Sequence, residues 1–198
     1  MSPTPRASGA VAAIVLAAGR SRRFGSAKQL ARLEGRTLLE HVLERASAAG
    51  LRPIVAVVPV WLTRPASADA ALTWVRNPYP ERGMSHSLRL ALAALPPEVE
   101  AALVLLGDQP TVDPGTIRAV LAARGERPVV AAVADGHPAP PVLVEREAFV
   151  LAEGLEGDVG MRELIAAHPE LVRGVPVAAH APDLDRPADL ADLRGEEA

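Results

Sequence analysis

The sequence predicts an α/β fold: a single-domain, Rossmann-like three-layer α/β/α sandwich on a mostly parallel sheet. Three observations carry this reading. The runs at residues 10–16, 53–58 and 101–106 are apolar at nearly every position, as strands covered on both faces are, whereas a strand with one wet face alternates. Stretches with apolar residues at helical spacing lie between them. Strand, helix and strand in that order imply right-handed crossovers and parallel pairing. The 198 residues suffice for one such domain with a full core, and no repeat, linker or low-complexity tract divides them.

The elements follow in order. Residues 10–16 form a strand that breaks at Ala17-Ala18-Gly19. Residues 37–49 read as a helix, with Thr37 as N-cap, Gly50 at the stop, and Leu38, Leu39, Val42, Leu43 and Ala46 on one face. Residues 53–58 are a second strand; 60–71 are weakly helical and interrupted by Pro65; 72–76 make a short third strand closed by Asn77-Pro78. Residues 85–95 form a helix with Ser85 as N-cap and Leu88, Leu92 and Leu95 spaced for burial. The strand at 101–106 runs into Gly107-Asp108-Gln109-Pro110, and a helix at 114–124 starts from Asp113 as N-cap with Pro114 in its first position. Strands at 128–133 and 141–144 are expected on either side of a loop at 134–140. Helices at 146–152 and 160–168, a strand at 172–178 and a terminal helix at 187–193 complete the chain. Residues 1–9 are expected to be a flexible arm and 194–198 an exposed tail. Trp61, Trp74, Met84 and Met161 are expected to serve packing.

Composition excludes several classes of function. There is no cysteine, which removes disulfides, thiolate metal sites and a cysteine nucleophile. A net charge of −3 argues against a general nucleic-acid binder, which carries a basic surplus. No apolar run approaches the ~20 residues of a membrane helix. The polar, proline-bearing start lacks the apolar core of a secretory signal, so a cytoplasmic location is expected.

The chemistry-bearing residues gather in a few stretches. The loop after the first strand carries Arg20, Arg22, Arg23 and Lys28 with no acidic residue among them, and Gly19 and Gly25 can take dihedrals closed to other residues. Such a loop is either a polyphosphate cradle or a polar surface turn. It is not a Walker A loop, since Lys28 does not follow Gly25 directly, nor a dinucleotide fingerprint, since no glycine stands two residues after Gly19. Asp108 lies just past the end of a buried strand, the edge at which open α/β sheets bind ligands. A carboxylate there can hold Mg²⁺ alongside substrate phosphates, or simply cap a turn. Gly83 precedes a helix whose first amides favour anionic or polar ligand atoms. Asp185 reads as an N-cap before a proline-initiated helix.

The segment Leu16-Ala-Ala-Gly-x-Ser-x-Arg-x-Gly-x-x-Lys-Gln-Leu30 resembles the signature of the nucleotide-diphospho-sugar transferase-like superfamily. Within it the chain resembles the MobA-like NTP transferases, and among these the molybdenum cofactor cytidylyltransferases. Gly-Asp-Gln-Pro at 107–110, Gly-Met-Ser-His-Ser-Leu at 83–88 and Asp-Leu-Asp-Arg-Pro-Ala-Asp at 183–189 are similar to further family segments, with Arg186 in place of the usual threonine. The likeness implies the fold of that superfamily and transfer of a nucleoside monophosphate onto a phosphate-bearing acceptor with release of pyrophosphate.

The same likeness distributes the roles. Arg23 and Lys28 would hold the β- and γ-phosphates, and Asp108, the third catalytic residue, would hold Mg²⁺ (or Mn²⁺) together with Asp185. Ala17, Ala18 and Gly19 by their backbone, with Gly83 and Ser87, would hold the nucleoside. His86 stands where the family has a small residue and is expected to face solvent. His137 and the stretch Gly157-Asp158-Val159-Gly160, which resembles a segment of the molybdopterin-specific members, would line the acceptor half.

Leu-Ala-Ala-Gly, where the guanylyl branch has Leu-Ala-Gly-Gly, implies CTP as donor. Molybdopterin as acceptor and a molybdoenzyme recipient follow from the same resemblance. The alternatives are GTP, a sugar phosphate or phospholactate as substrate, and a non-catalytic chaperone of the cofactor. A nicotinamide-dependent oxidoreductase is disfavoured by the missing fingerprint.

Overall fold

The structure, a computed structural model, describes residues 9–19, 24, 28–65, 71–182, 184 and 186–194. Arg23, Gly25, Asp183, Asp185 and most of the two terminal stretches lie outside the described residues.

The first strand, β1 (Ala10–Leu16), is buried from Ala12 onward, as its unbroken apolar run requires. A two-residue hairpin, β2 (Arg32–Leu33) and β3 (Arg36–Thr37), leads into α1 (Leu38–Ala48). Thr37 caps α1 by accepting the Glu40 amide at 3.2 Å, while the Glu40 carboxylate accepts the Thr37 amide at 2.8 Å. Two of the unpaired amides at that helix end are thereby satisfied.

Strands β4 (Ile54–Pro59) and β5 (Leu72–Asn77) follow, then α2 (Met84–Ala93), β6 (Val99–Leu106) and α3 (Pro114–Ala122). The second half holds β7 (Val129–Ala134), β8 (His137–Glu145), α4 (Phe149–Glu153), α5 (Met161–Ala167), β9 (Val172–Pro176) and α6 (Pro187–Arg194).

The main sheet has seven strands in the order β5-β4-β1-β6-β8-β7-β9. All run the same way except β8, which is antiparallel to both its neighbours. Because alternate residues of a strand face opposite ways, β1 feeds two cores. Ala13 and Val15 pack with Leu39 and Val42 of α1 and Ile117 and Val120 of α3. Ile14 and Leu16 pack with Leu88 and Ala91 of α2 and with Phe149 and Leu164 of α4 and α5. The mostly parallel three-layer sandwich is therefore present. Among the described residues no helix is long and apolar enough to cross a membrane.

Several local expectations are corrected. The stretch 134–140 is not a loop: Asp135 and Gly136, at φ 51° and 77°, form a two-residue turn, and β8 begins at His137. Asp-Gly favours that mirror-image turn. The prolines at 138, 140 and 141 are tolerated because β8 pairs with β6 only from Val142 onward, and the register against β7 shifts between Ala131 and Ala132.

The helix expected from Ser85 starts at Met84, with Gly83 in the cap position and no side-chain cap. No helix forms among the described residues of 60–71. Trp61 is not packing but 52% exposed, whereas Trp74 donates from Nε1 to the Leu62 carbonyl at 3.1 Å and packs against the α1 layer.

Candidate functional site

Parallel strands deliver their carboxyl ends, and the loops that follow, to one edge of the sheet. That edge here carries 17–19 after β1, Asn77 at the end of β5 and Gly107-Asp108 after β6. The Gly107 amide donates to the Leu16 carbonyl at 2.9 Å, extending the β1–β6 pairing beyond the strands. A Cβ on Gly107 would lie 2.6 Å from Cβ of Ala17. Only glycine at 107 lets the two loops meet so closely.

Lys28 and Asp108, 80 residues apart, meet at this edge: Nζ donates to Oδ2 at 2.8 Å. The lysine side chain is 9% exposed and the aspartate 33%. Lys28 opens a short 3₁₀ turn, Lys28–Leu30, and its carbonyl accepts the Ala31 amide at 3.0 Å. The Leu38 amide in turn donates to the Ala31 carbonyl at 3.0 Å. The lysine is thus carried on backbone fixed to the start of α1.

Phe24 is buried with Leu33, Leu38, Leu184 and Leu190 in a small third cluster. It follows Arg23 in sequence, and Leu184 stands between Asp183 and Asp185. The Leu184 amide donates to the Asp108 carbonyl at 3.4 Å, and Gln109 Nε2 donates to the Ala181 carbonyl at 3.3 Å. The carboxyl-terminal segment is thereby fastened to the Asp108 loop.

The remaining expected residues are placed as follows. Ala17 and Ala18 are buried, and the Ala17 amide is committed to the sheet through the Val57 carbonyl at 2.8 Å. Gly19 is exposed and does not take positive φ. Its glycine leaves clearance, since a Cβ would meet no described atom within 4 Å.

Gly83 does take positive φ, 84°. Ser87 is buried and accepts from Asn77 Nδ2 at 3.0 Å, while Asn77 Oδ1 accepts the Tyr79 amide at 2.8 Å. His86 does not simply face solvent as expected: it is half-buried, and its buried Nε2 has no hydrogen-bond partner among the described residues. Burial, then the nearby Arg82 and Arg89, hold its pKa below the ordinary histidine value.

His137 is exposed at the hairpin tip, its carbonyl 2.7 Å from His180 Nε2, and Asp158 is exposed on the loop between α4 and α5. Arg23 and Asp185 lie outside the described residues. Among the described residues no three His, Cys, Asp or Glu side chains cluster as a closed metal site.

Sequence reasoning passed over Asn77, Gln109, Gly107 and the true partner of Ser85. Gln109 carried a usable signal as a polar residue just past an apolar strand, and Asn77 as the polar residue that closes a strand before Pro78. Gly107 and Ser85 did not, because their partners are distant in sequence.

The arrangement brings a lysine ammonium, an aspartate and the amino end of a helix to one sheet edge, which suits an anionic ligand carrying several charges. Comparison with known proteins agrees with that chemistry. Residues 13–172 match the family described as the MobA-like NTP transferase domain. The chain is 38% identical over 129 residues to the bifunctional protein GlmU of Halorhodospira halophila, covering 63% of this chain and 27% of that protein. It spans a similar share, 26% and 25%, of the GlmU proteins of Bordetella petrii and Polaromonas naphthalenivorans.

Among solved structures it is similar to Rv0371c of Mycobacterium tuberculosis H37Rv, with TM-score 0.80 and 27% identity over 96% of this chain and 100% of that one. The complex of Rv0371c with manganese gives TM-score 0.76 and 25% identity over 94% and 98%.

Proposed function

This chain belongs to the MobA-like NTP transferase domain family, and from that premise we propose that it moves a nucleoside monophosphate from a nucleoside triphosphate onto a phosphate-bearing acceptor. CTP is the donor and a molybdopterin cofactor the acceptor, giving the cytosine dinucleotide form and pyrophosphate. The observation that carries this reading is the Lys28–Asp108 pair, which brings the lysine of the signature segment against the carboxylate past β6.

The acceptor's phosphate monoester is already ionised near neutral pH, so no general base is required. Its oxygen attacks the α-phosphorus, and the bond from that phosphorus to the β-phosphate oxygen breaks. The obstacle is the approach of two polyanions, so the work of the site is positioning and charge stabilisation. Lys28, with Arg23, binds the β- and γ-phosphates and stabilises the departing pyrophosphate. The backbone at 17–19, with Gly83 and Ser87, orients the nucleoside. His137 and Asp158 are assigned to the acceptor side.

Asp108 fits a divalent cation by its hard oxygen donors and by a carboxylate one-third exposed at the sheet edge, of which Lys28 engages Oδ2. With Asp185 it would hold magnesium, or manganese as in the Rv0371c complex, the substrate phosphates completing an oxygen shell. Such an ion supplies positive charge against the ionised oxygens of both reactants.

Pyrophosphate release measured with CTP, GTP, ATP and UTP against molybdopterin, sugar phosphates and phospholactate tests the assignment. The expected result is turnover with CTP and molybdopterin, lost by a factor of about 10² or more in Asp108→Ala. Near-normal release from Asp108→Ala removes the metal role, and turnover only with another pair reassigns the substrates.

A further inference from the structure

Ser85 is fully buried two residues after Gly83, and it does not cap its own helix. Its hydroxyl donates to the carbonyl of Gly157 at 2.8 Å, and its amide donates to the same oxygen at 3.3 Å. The carbonyl therefore sits on the amino end of α2, supplied by a loop 72 residues away in sequence.

Three glycines make the approach possible. A Cβ on Gly83 would lie 2.2 Å from the Gly157 carbonyl oxygen and 2.4 Å from the Asp158 amide nitrogen. Gly157 itself turns at φ 71°, and a Cβ on Gly160 would lie 2.5 Å from Sδ of Met84. Farther along α2, Arg89 Nη1 donates to the Leu155 carbonyl at 3.0 Å. At the far end of the loop, the Gly160 amide donates to Glu163 Oε2 at 2.8 Å and opens α5.

We propose that Ser85 is a positioning residue that ties the loop at 154–160 to the turn at 83–87, so that a nucleotide on the turn orders the loop that meets the acceptor. This rests on the nucleotide-binding reading above and adds to it a physical link between the two substrate halves. A ligand that fixes the first turn of α2 fixes the amide and hydroxyl that hold Gly157, and so steadies the backbone next to Asp158. The coupling is reciprocal: whatever steadies the loop favours nucleotide on the turn.

Hydrogen–deuterium exchange of the full chain, with and without saturating CTP and MgCl₂, tests this without an acceptor. In the unaltered protein CTP slows exchange at 17–19, at 83–87 and at 155–160. In Ser85→Ala, exchange at 155–160 without nucleotide is about five-fold faster, the equivalent of one ordinary hydrogen bond. The response of that segment to CTP is lost there while the response at 17–19 persists. Ser85→Thr, which keeps a hydroxyl, restores the response. Arg89→Ala loosens the loop near Leu155 yet keeps it.

Slowing at 17–19 and 83–87 with none at 155–160 in the unaltered protein overturns the link alone, and so does an intact response in Ser85→Ala. No slowing anywhere with any of the four triphosphates overturns the nucleotide reading and the link together. If Ser85→Ala fails to fold, the unaltered protein still tests the link, since absent slowing at 155–160 beside slowing at 83–87 overturns it.

Discussion

The Lys28–Asp108 pair gives a stability prediction that can be worked from its geometry. At 2.8 Å and an effective dielectric of about 20, two unit charges attract by about 6 kcal/mol. Most of that is offset by the water both groups lose. The two side chains are 9% and 33% exposed, which places the pair between the exposed class, worth at most about 1 kcal/mol, and fully buried pairs. A net coupling of about 1–2 kcal/mol is expected.

The assay is a double-mutant cycle with Lys28→Met, Asp108→Asn and the double variant, each unfolded in urea. The cycle isolates this pair from every other contact that either residue makes. For a chain of this length the coupling corresponds to about 2–8 °C in Tm. A coupling below about 0.3 kcal/mol would refute the idea that the ion pair holds Lys28 and its 3₁₀ turn against the β6 edge.

Three further outcomes are expected. Glu145 accepts from Arg124 Nε at 2.8 Å and from Nη2 at 3.0 Å, with side-chain exposures of 4% and 13%. Glu145→Gln should cost about 2–4 kcal/mol in urea unfolding, and a loss under 1 kcal/mol contradicts the role given to the pair. The Glu40 carboxyl is held below its usual pKa, first by the Thr37 amide and then by its hydroxyl. Its contribution is therefore present above the ordinary carboxylate value and fades as pH falls through the lowered one. Glu40→Gln should flatten the acid limb of stability below about pH 5, and an unchanged limb counts against the capping box.

His86 is disfavoured in its charged form in the folded protein. Its stabilisation is present above the ordinary histidine value and is lost as pH falls through the depressed folded value. An NMR titration should give a midpoint below about 6.5, rising in Arg82→Ala. A midpoint above 6.5 would show that the ring is neither desolvated nor repelled by arginines.

What could be read from the sequence was local in origin. The buried run of β1, the Thr37 cap and the Asp113 cap, whose carboxylate accepts the Thr116 amide at 2.8 Å, each depend on residues within a few positions of one another. The parallel order followed because crossovers have one hand. What could not be read depends on partners far away. Ser85 looks like an N-cap in sequence, but Gly83 at φ 84° and a carbonyl from residue 157 move the helix start and redirect the hydroxyl.

The hairpin at Asp135-Gly136 was hidden by the prolines after it, since nothing local indicates that β6 stops pairing there. Trp61 has the residue type of a core side chain, yet it stands in the turn after β4 and is exposed. Lys28 and Asp108 were joined only through likeness to a family. No local pattern brings positions 28 and 108 to the same 2.8 Å contact.

The reversed strand β8 has a wider consequence. It meets β6 over only four residue pairs, Ala101 to Val104 against Glu145 to Val142, while β7 and β9 attach to the sheet through β8. Within the sheet, the four parallel strands β5, β4, β1 and β6 and the β7–β9 side thus join along one short seam. Such a seam confines the change of direction to four residue pairs, so the parallel order of β5, β4, β1 and β6 does not depend on how the chain beyond β8 is threaded.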